Sequence, residues 1–102
     1  MQQLNETSYN DLIKSDKLTV IKFFGTRCGP CKVLAPVLER VTKNYPDVNF
    51  GEVDIDQERN VTINEGIRGV PAVIFYKNGQ PLDRLVGLHP IQNYINKIES
   101  LK

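Results

Sequence analysis

The chain has 102 residues, 40% of them apolar, and a formal net charge of +1 from thirteen Lys and Arg against twelve Asp and Glu. This length suits one compact domain over residues 1–102. The charges are interspersed and form no basic stripe, so nucleic acid is not an expected partner. No apolar run approaches the length of a membrane-spanning helix, and residues 1–9 lack the features of a signal peptide. We therefore expect a cytoplasmic protein with no membrane partner.

In chain order, the first half predicts helices alternating with strands. Residues 8–15 predict a short amphipathic helix, and the β-branched and aromatic run 18–24 predicts a buried strand. A longer helix then begins at the two cysteines and ends near residues 44–46. Its apolar residues recur at three- and four-residue spacing and predict one buried face. That face comprises Val33, Leu34, Val37, Leu38 and Val41.

The second half predicts a strand, a short helix, a hairpin and a closing helix. Gly66 is placed to end the short helix, and Asn78-Gly79 supplies the positive φ angles of a tight hairpin turn. These elements are a strand at 48–54, a helix at 57–65, hairpin strands at 73–77 and 81–86, and a helix at 90–101. The order predicts an α/β fold with a mixed central sheet of four to five strands, the fifth being a short one at 2–4, flanked by about four helices.

Cys28-Gly29-Pro30-Cys31 places both cysteines of the chain at the turn from the buried strand into the longer helix. Backbone N–H groups at a helix N-terminus stabilise a thiolate, which makes Cys28 the candidate nucleophile. Cys31, one turn further on, is the candidate resolving thiol that attacks a mixed disulfide at Cys28. Gly29 allows the tight turn, and Pro30 fixes φ where a missing N–H costs little. A lone C-x-x-C would also suit half of a zinc site.

A second motif, Gly69-Val70-Pro71, lies in a separate part of the chain. Together with the dithiol and several shorter segments, it resembles the thioredoxin family over nearly the whole length of the chain. The other matching segments are Lys32, Pro36, Asp54-Ile-Asp56, Gly66-Ile-Arg68, Lys77-Asn-Gly79 and Val86-Gly87.

This resemblance implies the thioredoxin fold and a thiol-disulfide oxidoreductase that reduces disulfides in proteins. No cofactor and no metal are expected, and thioredoxin reductase or a similar enzyme would regenerate the dithiol of a monomer. The Val70-Pro71 bond should be cis and should present the Val70 backbone to an extended substrate. The implied substrate-binding residues are Arg27, Gly29, Pro30, Gly69, Val70, Pro71 and Gly87.

The sequence departs from the family pattern at two places. Arg27 stands where a tryptophan usually precedes the first cysteine, and its cation favours the Cys28 thiolate and acidic partners, unless it is simply solvated. Beneath the dithiol, the family usually has a buried aspartate opposite a lysine, whereas here those positions read Lys22 and Glu52. We expect them to form an ion pair that either helps to accept the Cys31 proton or is purely structural.

Other polar residues have simpler interpretations. His89 is expected to be a surface or capping residue, and Asp54 and Asp56 are expected to cap the following helix.

Three alternative functions remain open at this point. The chain could be a dedicated reductant of one partner or of low-molecular-weight thiol adducts. It could instead be a noncatalytic binding module with a vestigial dithiol, or a dimer bridged by a metal held between two C-x-x-C pairs.

Overall fold

The computed structural model describes every residue from Met1 to Lys102. Its five-stranded sheet has the order β1-β3-β2-β4-β5, in which β1, β3 and β2 run parallel and β4 is antiparallel to both of its neighbours. None of the four helices is long and apolar enough to cross a membrane. In chain order the elements are β1 (Gln2–Gln3), α1 (Glu6–Ile13), β2 (Thr19–Phe24), α2 (Gly29–Asn44), β3 (Asn49–Asp54), α3 (Arg59–Asn64), β4 (Ala72–Lys77), β5 (Gln80–Val86) and α4 (Ile91–Leu101).

This architecture confirms the predicted α/β fold, including the short first strand. The sheet separates two apolar layers, as expected when side chains alternate between the faces of a strand. On one face, Ile21 and Phe23 of β2 pack in a cluster that includes residues of α1 and α3. On the other face, Val20 packs in a cluster that includes residues of α2 and α4. Lys22 follows Val20 at a spacing of two and therefore lies on the α2 side.

The buried face of α2 differs by one position from the predicted one. Val33 is 56% exposed, so its assignment to the core was wrong. Cys31 is buried instead, together with Leu34, Leu38 and Val41. Consecutive residues on a helix are separated by about 100°, so the stripe centred on these leucines turns residue 33 toward solvent.

Two turns with positive φ angles end α3 and join β4 to β5. Gly66, at φ 66°, ends α3 in a Schellman arrangement, with the Gly66 N–H donating to the Ile63 carbonyl and the Ile67 N–H to the Thr62 carbonyl. The β4–β5 hairpin turns at Asn78 and Gly79, both with positive φ, as the sequence predicts. The Schellman turn releases the chain into the segment that approaches the cysteines.

Candidate active site

The two cysteines lie at the N-terminus of α2, the end at which this helix meets the centre of the sheet. They form a disulfide with a Cα–Cα distance of 5.2 Å. Cys28 is the N-cap residue, and its Sγ accepts a hydrogen bond from the Cys31 N–H at 3.1 Å. Since this N–H and the helix dipole stabilise negative charge, the reduced form of the site favours a thiolate at Cys28.

The two sulfurs differ in accessibility. Cys28 is half-buried beside the exposed Gly29 and Pro30, whereas Cys31 is only 4% exposed. The Cys28 sulfur is therefore the more accessible of the two.

The Gly69-Val70-Pro71 segment faces the dithiol. The Val70-Pro71 bond is cis, which confirms the expectation from the sequence, and the Val70 carbonyl oxygen lies 3.6 Å from Cys28 Sγ. Pro71 is buried, and its carbonyl accepts a hydrogen bond from the Gly87 N–H at 2.8 Å. The Val70 N–H and C=O bond to no other main-chain group. Two main-chain groups are thus free to pair with a visiting peptide beside the reactive sulfur.

Two glycines lie next to this region. Gly69 is exposed, and a Cβ built there would lie 4.0 Å from Val86 Cγ1. Gly87 has φ 84°, a conformation that residues with a side chain rarely adopt. The exposed apolar side chains of Val86 and Leu88 flank Gly87.

Lys22 and Glu52 form the expected ion pair, with 3.2 Å between Nζ and Oε1. The Lys22 side chain is 5% exposed and the Glu52 side chain 21%, so the ammonium is the more deeply buried partner. Lys22 Nζ also lies 5.4 Å from the centroid of the Phe24 ring. This distance is within the range of a cation–π contact, which adds to the compensation of the buried charge.

Cys31 lines a cavity of about 290 Å³ together with this ion pair. Four of its lining residues were not identified from the sequence, and their only signal is their position near the dithiol in the chain. They are Phe24, Gly25, Thr26 and Ala35. A cavity with both charged and polar walls can hold water between the ion pair and the thiol. The complete lining is Lys22, Phe24, Gly25, Thr26, Cys31, Lys32, Ala35 and Glu52.

Arg27 is exposed and takes part in none of the five ion pairs of the structure. His89 forms a local bridge, with Nε2 at 3.0 Å from the Val86 carbonyl and Nδ1 at 3.1 Å from Asn93 Nδ2. Its ring thereby ties the end of β5 to a side chain in the first turn of α4. It does not cap that helix, whose N-cap is Pro90 and which has no side-chain capping bond.

The prediction that Asp54 and Asp56 cap the following helix was wrong. Asp54 is buried, and its Oδ1 accepts hydrogen bonds from the N–H groups of Asp56 and Gln57, which stabilises the turn before α3. The N-cap of α3 is Glu58, whose side chain makes no capping bond. The short side chain of Asp54 bonds to the nearest free N–H groups, and these precede the helix.

The chain is similar to known proteins in both sequence and fold. A sequence model of the Thioredoxin family matches residues 1–100. Thioredoxin-2 of Saccharomyces cerevisiae is 40% identical over 90 residues, covering 86% of each chain. The crystal structure of Fasciola hepatica thioredoxin superposes with a TM-score of 0.93 at 30% identity and covers 100% of both chains. The oxidised mitochondrial thioredoxin 3 of S. cerevisiae gives a TM-score of 0.91 at 30% identity, over 99% of this chain and 95% of that one.

Family, fold and paired cysteines agree with one another. The match extends over nearly the whole chain and includes the Cys28–Cys31 disulfide. The chain belongs to the thioredoxin family and is a thiol-disulfide oxidoreductase of the protein disulfide reductase type.

Proposed function

We propose that Cys28 is the nucleophile and Cys31 the resolving thiol in the reduction of protein disulfides. The observation that carries this assignment is the asymmetry of the pair, because Cys28 is accessible and accepts the Cys31 N–H, while Cys31 is buried. The Cys28 thiolate attacks one sulfur of a substrate disulfide, forms a mixed disulfide and releases the first substrate thiolate. Cys31, once deprotonated, attacks Cys28 Sγ, closes the internal disulfide and releases the second substrate thiolate. The substrate gains two electrons, and the dithiol loses two.

The substrate chain is proposed to lie extended along Val70. Its main chain would pair with the free N–H and C=O of Val70, which brings a substrate cysteine next to Cys28. Gly69 and Gly87 leave room for that backbone. Arg27, Gly29, Pro30 and the cis Pro71 are assigned to the surrounding surface, with Pro71 fixing the segment from beneath.

We assign proton transfer from Cys31 to the ion pair of β2 and β3. Cys31, Lys22 and Glu52 line one cavity, and water in it can carry the thiol proton to the Glu52 carboxylate. Lys22 holds that carboxylate in place through their 3.2 Å contact. The Cys31 thiolate needed for the second step thus forms without a direct contact between sulfur and carboxylate.

Partners and compartment follow from the same features. Disulfide-containing proteins would be the substrates, and a thioredoxin reductase or a similar enzyme would return electrons to the Cys28–Cys31 disulfide of a monomeric single domain. The chain has only two cysteines, both in the redox motif, and so has no further disulfide to maintain in an oxidising compartment. This usage supports the reducing environment of the cytoplasm.

Trapping of the mixed disulfide tests the assignment of the two cysteines. In Cys31→Ser, attack by Cys28 proceeds but resolution stops, so a covalent adduct with a disulfide-containing protein should accumulate. Dithiothreitol should reduce this mixed disulfide and release the substrate. Cys28→Ser should form no such adduct. The matched control is the same substrate reduced and alkylated beforehand. Equal trapping by both variants, or trapping by Cys28→Ser alone, would contradict the assignment.

A further inference from the structure

Three exposed cations lie beside the dithiol or two residues from the Val70 segment that faces it. We call Arg27, Lys32 and Arg68 the cationic rim. We propose that the rim selects disulfides whose reactive cysteine is flanked by carboxylates, so that acidic peptide segments are the preferred substrate class. This inference rests on the proposed function, since it concerns which disulfides the same site reduces.

The rim cations come from three different parts of the site. Arg27 directly precedes the nucleophile Cys28, and Lys32 directly follows Cys31 and lines the cavity beside it. Arg68 lies two residues before Val70, whose carbonyl is 3.6 Å from Cys28 Sγ. Because consecutive Cα atoms are about 3.8 Å apart, the Arg68 Cα lies within about 8 Å of the Val70 Cα. A peptide along Val70 therefore passes beside Arg68 on one part of its length and beside Arg27 near its cysteine.

The rim charges are not neutralised within the chain. All three residues are exposed, none takes part in the five ion pairs, and their side chains make no hydrogen bond.

The acidic residues around the dithiol offer little compensation. Glu52 is paired with Lys22, and Asp54 is buried and bonded to two N–H groups. Asp56, after β3, is exposed. Three rim cations against one exposed carboxylate, Asp56, leave a local excess of positive charge beside the dithiol.

Such an arrangement acts on anionic partners in two ways. A guanidinium group matches the planar carboxylate and can bind it through two hydrogen bonds. Arg27 and Arg68 each supply a guanidinium group. The summed positive potential also steers acidic segments toward the site and accelerates association. Exposed ion pairs change an equilibrium by about 1.5- to fivefold each, so the whole rim should give a preference on the order of tenfold at low salt.

The test is single-turnover reduction of three disulfide-linked peptides by the prereduced native protein. The peptides are identical except that the residues flanking each cysteine are Glu, Gln or Lys. The expected order of second-order rate constants is Glu above Gln above Lys. At about 1 M salt, where the Debye length falls to about 3 Å, the three constants should converge.

Variants locate the preference on the rim. Arg27→Gln and Arg68→Gln should each lower the ratio of the Glu-peptide to the Gln-peptide rate constant by about two- to fivefold. Lys43→Gln, an equal loss of charge about 21 Å along α2 from Gly29, is the control and should keep the native ratio. The ratio is the decisive quantity, because a changed pKa of the Cys28 thiol alters the rate with all peptides alike.

The outcomes separate this inference from the proposed function. Equal rate constants for the three peptides in the native protein, or an unchanged ratio in both arginine variants, would overturn the role of the rim while leaving the reductase intact. Failure to reduce any of the peptides would contradict the reductase function itself, and the inference with it.

Discussion

Lys22 and Glu52 lie directly opposite each other on the parallel strands β2 and β3, and their side chains meet at 3.2 Å on the wall of the cavity that reaches Cys31. Placement in register fixes their proximity, because opposed residues of paired strands point to the same face. The lysine is almost completely enclosed, whereas the carboxylate retains access to water. In the proposed relay, Lys22 supplies a fixed positive charge and Glu52 the carboxylate that accepts the proton through the cavity.

Replacement of the carboxylate should slow resolution of the mixed disulfide. Glu52→Gln keeps the shape of the side chain but removes its basicity, so deprotonation of Cys31 loses its acceptor. We expect the release of bound substrate from Cys28 to slow by about tenfold or more near neutral pH, with a smaller deficit at high pH, where hydroxide competes as the base. Stopped-flow measurement of the second step across pH provides the check. Unchanged rates of resolution at every pH would contradict the relay.

The same pair predicts an asymmetry in stability. Removing Glu52 leaves the buried Lys22 ammonium without its ion-pair partner. Removing Lys22 leaves the Glu52 carboxylate, which is already partly solvated. Glu52→Gln should therefore lower the free energy of unfolding by up to about 3–5 kcal/mol, and Lys22→Met should lower it by less. The double variant should recover most of that loss. Urea unfolding of the four proteins measures these differences, and a larger loss in Lys22→Met would show that the buried charge is not the dominant cost.

The buried tyrosines of β4 and α1 predict a loss of stability in alkali. Tyr76 and Tyr9 have hydroxyls 2.7 Å apart, and both donate toward Glu65. Burial is the main cause that raises the pKa of each well above its usual value of 10.0. The next cause is the hydrogen bond to Glu65 for Tyr9 and the hydrogen bond to Tyr9 for Tyr76. The contribution of these groups to the free energy of unfolding is fully present below pH 10. Above it, the unfolded chain ionises first, and up to about 1.4 kcal/mol is lost per pH unit and tyrosine.

Comparison with Tyr76→Phe isolates this effect from other alkaline titrations. Chemical unfolding at pH 9 and pH 11 should show a smaller decline for the variant than for the native protein, whatever its stability at neutral pH. Identical declines in the two proteins would mean that Tyr76 ionises equally easily in the folded and unfolded states.

The ion pair between Asp83 and Lys97 predicts a small effect at the opposite end of the pH scale. Lys97 Nζ lies 2.6 Å from Asp83 Oδ2 and joins α4 to β5, and its hydrogen bond lowers the pKa of that carboxyl below 3.8. Because the folded-state pKa is depressed, the stabilisation is present above the unfolded value and disappears as the pH falls through the folded one. Both side chains are more than one third exposed, so Lys97→Gln should cost at most about 1 kcal/mol at pH 7. Unfolding at pH 7 and pH 2 checks this, and an equal loss at both would contradict it.

The elements with strong local signals could be predicted from the sequence. Asn78-Gly79 fixes a turn through its own backbone preferences, and Cys28-Gly29-Pro30-Cys31 lies between a strand pattern and a helix pattern. Local preference also explains the two errors. Val33 belongs to an apolar stripe by its spacing, but tertiary packing decides which edge of the stripe is buried. Asp54 accepts hydrogen bonds from N–H groups of the turn that precedes the helix it was expected to cap.

The remaining features depend on contacts between distant parts of the chain. No local pattern shows that Glu65 accepts hydrogen bonds from Tyr9 and Tyr76, which lie on different elements. The opposition of Lys22 and Glu52 was predictable because the family resemblance supplied the strand register. The cavity that this pair lines together with Cys31 was not, since its shape depends on how α2 packs on the sheet.

The most direct test of the central claim is turnover of a protein disulfide. Insulin reduction is followed with NADPH and a thioredoxin reductase, and with dithiothreitol as an alternative electron source, for the native chain and Cys28→Ser. We expect the native protein to accelerate reduction and the variant to show only the background rate. A native protein that reduces no disulfide with either electron source, or a Cys28→Ser variant that retains activity, would contradict the claim that this dithiol carries electrons to protein substrates.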